Sequence, residues 1–167
     1  MQADNRVRRV VRSGDAARGG GRFKSFGTPA FAGSSVAFLA GLSDGNAASA
    51  LFLKRGARLQ PLASTGDATR TRVGGRFTAF DPPAGGPLGV VVRATLDTRG
   101  EALFLINGRR RGTLIASGDA APGGGTFTAF SAPVFAGRAV AFLADTSRDT
   151  AGGGLFRIPV TRVPRTQ

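Results

Sequence analysis

Apolar positions along this 167-residue chain come in short runs broken by glycine and proline, and no segment sustains a 3.6-residue apolar period. Long helices are therefore not expected. Three runs read as strands: Val36-Ala37-Phe38-Leu39-Ala40, Val90-Val91-Val92-Arg93-Ala94 and Val140-Ala141-Phe142-Leu143-Ala144. In the first and third, both alternating sets are apolar, the pattern of a strand covered on both faces. Ahead of each run stand a Phe-x-x-Phe step (Phe23 and Phe26, Phe77 and Phe80, Phe127 and Phe130) and a proline (Pro29, Pro83, Pro133). After each comes a second strand anchored by Leu51-Phe52, Leu103-Phe104 or Leu155-Phe156. In the second copy Asn107-Gly108 follows, a hairpin signal because both residues tolerate positive φ. The pattern predicts an all-β chain with about four short antiparallel strands per unit.

The units are copies of one another. A Ser/Thr-Gly-Asp triplet recurs at Ser13-Gly14-Asp15, Thr65-Gly66-Asp67 and Ser117-Gly118-Asp119, in steps of 52 residues. One repeat domain over 1–167 is expected, with repeats at 13–64, 65–116 and 117–167. Residues 1–12 are expected to supply a closing strand, since Arg6 to Arg12 matches Arg58 to Ser64 and Arg110 to Ala116. A strand from one terminus that completes the last unit is how circular β architectures hide their edges. Units of this length suit β-propeller-like blades, and a β-trefoil-like three-fold closure is the alternative. Three blades are too few for an ordinary ring. Pairing into a six-bladed homodimer, membership of a longer array and three-fold closure all remain open.

Composition narrows the chemistry. With no Cys and no His, thiol nucleophiles, imidazole bases and the usual zinc sets cannot form, and the absence of Tyr and Trp removes the common stacking platforms. No enzyme, cofactor or metal site is expected. Asp15, Asp67 and Asp119 read as turn residues that accept backbone hydrogen bonds, because each triplet supplies one carboxylate where a calcium loop needs several oxygens. The Gly-rich turns Gly19-Gly20-Gly21 and Gly123-Gly124-Gly125 lack the Lys-Ser/Thr pair and the following helix of a phosphate loop. Arg109-Arg110-Arg111 reads as a solvated strand end. The net charge of +13 points to an anionic partner, nucleic acid or acidic glycan, although it is spread along the chain. If the termini meet, Arg6, Arg8, Arg9 and Arg12 join Arg162 and Arg165 in one polyanion-binding cluster. No run approaches the roughly 18 apolar residues of a membrane helix, and the first residues hold no apolar stretch of signal-peptide length.

The stretch from Gly118-Asp119 through Gly123-Gly124-Gly125-Thr126-Phe127-Thr128-Ala129-Phe130 to Val140-Ala141-Phe142 resembles a bacterial tandem-repeat family known by an Asn-x-x-Gly-x-x-Ala-Phe signature. The likeness extends over nearly the whole chain. It implies β-propeller-like blades in secreted or surface-exposed proteins, with no catalytic role to carry over. Phe31 and Phe135 stand where the family has Asn, and Ser34 and Arg138 where it has Gly. The function this implies is a non-enzymatic binding or structural surface in an extracytoplasmic bacterial protein. Polyanion binding through arginine is the second reading, and an Asp-based hydrolase the last.

Overall fold

The computed structural model describes residues 7–148 and 153–164 and shows an all-β molecule of fourteen strands in three antiparallel sheets, with no helix among the described residues. The first sheet holds β1 (Arg22–Phe26), β2 (Ala30–Ala32), β3 (Ser35–Ser43), β4 (Ser49–Arg55) and β5 (Arg58–Ser64). The second holds β6 (Phe77–Phe80), β7 (Ala84–Gly86), β8 (Gly89–Leu96), β9 (Gly100–Asn107) and β10 (Arg110–Ala116). The third holds β11 (Phe127–Phe130), β12 (Val134–Ala136), β13 (Ala139–Thr146) and β14 (Gly154–Pro159).

Each sheet is a meander of four positions whose first strand is split. β1 pairs with the end of β3 at Ala40 to Ser43, and β2 with its beginning at Ser35 to Ala37. Pro29 lies in the break, where a residue without an N–H cannot continue the ladder. The same split separates β6 from β7 and β11 from β12. In the third sheet the fourth position is unfilled among the described residues, where no strand matching β5 or β10 pairs with β14. The closing strand expected over Arg6 to Arg12 is not formed, since residues 7–12 carry no strand and Arg6 lies outside the described residues. Val7 and Val10 of this segment are exposed.

A bulge places the phenylalanines. Residues three apart on a regular strand point to opposite faces, but the register slips by one between Phe23 and Ser25, Phe77 and Ala79, and Phe127 and Ala129. Both rings of each Phe-x-x-Phe pair therefore share a face, with centroids 5.6, 5.0 and 5.7 Å apart. The first ring of each pair also meets the Leu-Phe strand edge-on, Phe23 on Phe52 at 4.9 Å, Phe77 on Phe104 at 5.0 Å and Phe127 on Phe156 at 4.9 Å.

Every sheet thus has a phenylalanine face and a leucine face, and the sheets stack one type on the other. Ala37, Leu51 and Leu62 of the first sheet form one core with Phe77, Phe80, Val92 and Phe104 of the second. Val91, Leu103 and Leu105 of the second form another with Phe127, Phe130, Phe142 and Phe156 of the third. Within the second contact, Arg93 holds Asp81 and Glu101 and donates to the carbonyl of Phe130, while Glu101 accepts the Phe130 N–H at 3.1 Å. β7 lies between β2 and β12. Among the described residues the sheets close neither into the barrel that a trefoil requires nor into a ring.

The predicted hairpin at Asn107-Gly108 is present but shifted by one residue. Asn107 pairs with Arg110, so the loop is Gly108-Arg109, and only Gly108 takes a positive φ, +60°. The β4–β5 hairpin uses Gly56, φ +54°, in the same way.

Candidate functional site

An open groove of about 1180 Å³ is built from four stretches separated in sequence. The β9–β10 hairpin supplies Asn107, Gly108, Arg109, Arg110 and Arg111; β5 and the segment after it supply Pro61, Leu62, Asp67, Ala68 and Arg70; Leu88 precedes β8, and residues 161–164 supply the remaining wall. Gly112 explains how that wall comes so close. A Cβ there would stand 2.6 Å from Cδ and 2.7 Å from the carbonyl oxygen of Pro164, so only glycine lets residues 161–164 lie across β10.

Five arginines line the groove, Arg70, Arg109, Arg110, Arg111 and Arg162, against one carboxylate, Asp67. Arg111 is committed to the fold. Its guanidinium donates to the carbonyls of Leu62 at 2.7 Å and Ala68 at 3.2 Å, pairs with Asp67 at 3.1 Å, and sits 5.7 Å from the ring centre of Phe77. It thereby neutralises the groove's acidic residue. Arg109, Arg110 and Arg162 are exposed, and their side chains make no hydrogen bond or ion pair with any described residue. The sequence pattern assigned Arg109, Arg110 and Arg111 to a solvated strand end, which fails for Arg111 because its guanidinium is held by Leu62, Asp67 and Ala68, and it gave no sign of Arg70. Only the fold brings them into one groove with Arg162, because the β9–β10 hairpin of the second sheet lies beside the segment that follows β14.

Of the arginines grouped from the sequence, Arg162 lines the groove, and Arg8, Arg9 and Arg12 do not. Those three flank Val11, which packs on the phenylalanine face of the first sheet, whereas Val163 packs between the second and third sheets. Arg6 and Arg165 lie outside the described residues.

The three aspartates sit in matching turns. The carboxylates of Asp15, Asp67 and Asp119 accept the backbone N–H of Arg12, Ser64 and Ala116 at 2.9, 3.1 and 2.9 Å. The preceding glycines share φ +88°, and each donates its N–H at 2.8 Å to Phe23, Phe77 or Phe127. Asp119 also forms a bidentate pair with Arg72. Burial alone would push its carboxyl up, but the hydrogen bonds from Arg72 and Ala116 and the charges of Arg72 and Arg99 hold it below the usual carboxylate value. No three metal-ligating side chains gather among the described residues.

This arrangement suits recognition of extended negative charge. Guanidinium groups on a rigid hairpin supply paired N–H donors for phosphate, sulfate or carboxylate. No family model, no curated protein and no solved structure matches the chain, so its likeness to the Asn-x-x-Gly-x-x-Ala-Phe repeats stands on the motif residues quoted above.

Proposed function

We propose that this chain is a non-enzymatic binding module of propeller type, and that it binds a polyanion in the arginine-lined groove. The observation that carries this reading is the convergence of five arginines from three separate stretches around one carboxylate that is already paired. The propeller-type reading is supported by three meanders stacked face to face, with β2, β7 and β12 side by side along one edge. An extracytoplasmic setting is part of the proposal and is supported by the motif resemblance alone.

The test is a salt titration of binding, with a fluorescent single-stranded DNA and a heparin oligosaccharide as probes. Neutralising a phosphate contributes roughly −0.7 to the log–log salt slope for a single strand, so Arg109, Arg110 and Arg162 together give a slope of about −2 and a loss of about twentyfold between 50 and 200 mM salt. Arg109→Ala with Arg110→Ala is expected to flatten that slope. Arg58→Ala, at the equivalent hairpin end of the first sheet and outside the groove, leaves it unchanged. Absent or salt-independent binding of both probes overturns the proposal; binding of one alone identifies the class of ligand.

A further inference from the structure

The two ends of the stack carry exposed apolar residues that their counterparts in the middle bury, and each end has the face that the other lacks. Leu51 and Leu103 are fully buried under the next sheet, whereas Leu155, their counterpart in the third sheet, is 75% exposed. Leu143, in the place of Leu39, is also exposed. At the other end, Phe80 and Phe130 are buried by the sheet before them, while Phe26, over which no described sheet lies, is 43% exposed. Phe31 shows the same loss. Its counterpart Phe135 lies over Gly86 of the sheet before, and Phe31 itself is 76% exposed. Meanwhile β13 has the apolar residues of a doubly covered strand but only one covered face, and β14 alternates strictly between half-buried and exposed positions.

We propose that a second copy of this chain docks head to tail on this one. The phenylalanine face of one copy's first sheet covers the leucine face of the other's third sheet. Residues 7–12 then add to the free edge of the partner's β14 as its missing fourth strand.

Two independent observations select this occupant. First, the chain already makes the contact internally, and the end faces match it position for position: Leu39 and Leu51 face the sheet that carries Phe77 and Phe80, as Leu143 and Leu155 would face Phe23 and Phe26. Second, residues 7–12 match β5 and β10 in sequence, stand directly before the first triplet as those strands stand before theirs, and occupy no sheet in the single chain. By that match Val10 takes the place of Leu62, which is buried in the first inter-sheet core. A head-to-tail contact closes into a ring or grows as a filament. Six sheets from two copies make the ring.

Light scattering after size-exclusion chromatography tests this. The expected mass is about 34 kDa, twice the 17.1 kDa of one chain, and it persists in 1 M salt because the contact is apolar. Phe31→Asp and Leu155→Asp each change a side chain that is exposed in the single chain, so each is expected to keep the wild-type circular dichroism spectrum and to elute as a monomer. Mixed together, they restore a dimer, since the intact first sheet of Leu155→Asp fits the intact third sheet of Phe31→Asp. Val10→Asp is expected to weaken the dimer as well. A wild-type monomer, a mass that grows without limit, a dimer kept by either end variant alone, or a mixture that stays monomeric overturns the proposal. A dimer kept by either end variant alone, or a mixture that stays monomeric, would place the contact on other faces, whereas a mass that grows without limit would mean that the contact does not close into a ring.

Discussion

Asp15 and Asp119 hold the same place in the same turn, yet their surroundings differ. Each accepts a backbone N–H from three residues earlier, and only Asp119 adds a bidentate arginine, Arg72, which reaches it from 47 positions away in sequence. Replacing Asp119 by Ala is expected to cost about 1–2 kcal/mol in urea unfolding, since a hydrogen-bonded charge is lost and Arg72 loses its partner. The same change at Asp15 is expected to cost less. Because the folded carboxyl of Asp119 is held below its unfolded value near 3.9, its contribution is complete above about pH 4 and fades as pH falls through the folded value. The stability gap between the wild type and Asp119→Asn should therefore shrink on acidification, and a gap constant from pH 7 to pH 2.5 would count against this account. The triplet that marks the turn is legible in the sequence. The partner from another repeat is not, because nothing in the local pattern records which loops come together.

At the level of elements, the strands and their order follow from apolar runs, prolines and the 52-residue step, and the all-β class follows from the same pattern. The faces are less plain. Phe-x-x-Phe spacing on a regular strand would send its rings to opposite sides, and the bulge that unites them is a matter of hydrogen-bond register that the residue types do not encode. Gly85 is a further instance. A Cβ there would come within 1.9 Å of the carbonyl oxygen of Phe31, so the glycine is what allows β2 and β7 to approach. Gly85→Ala is expected to destabilise the protein by about 2–3 kcal/mol, because the obstacle is backbone from another sheet and cannot swing away. Guanidinium unfolding checks this, and a neutral result would mean that the two sheets separate at little cost.

Across the whole molecule, unequal burial of equivalent residues is what the repeat alone could not show. Identical leucines are buried twice and bare once, so the stack has two dissimilar ends. If a second copy covers them, assembly favours the folded state by mass action, and the thermal midpoint should rise with protein concentration. Leu155→Asp should remove that dependence; a wild-type midpoint that does not move with concentration would oppose the assembly. The groove belongs to this scale too, since its arginines face one another only after the second and third sheets have stacked. Residue order settles the local part: strands rather than helices, where they break, the recurring turn, and the absence of thiol and imidazole chemistry. Those depend on backbone preference and on residues close along the chain. The tertiary structure alone decided which face meets which, which arginines share a groove, which aspartate gains a cation and which strand position stays empty. Each of these depends on distances between segments tens of residues apart, and a periodic sequence repeats its units without stating what lies at the ends.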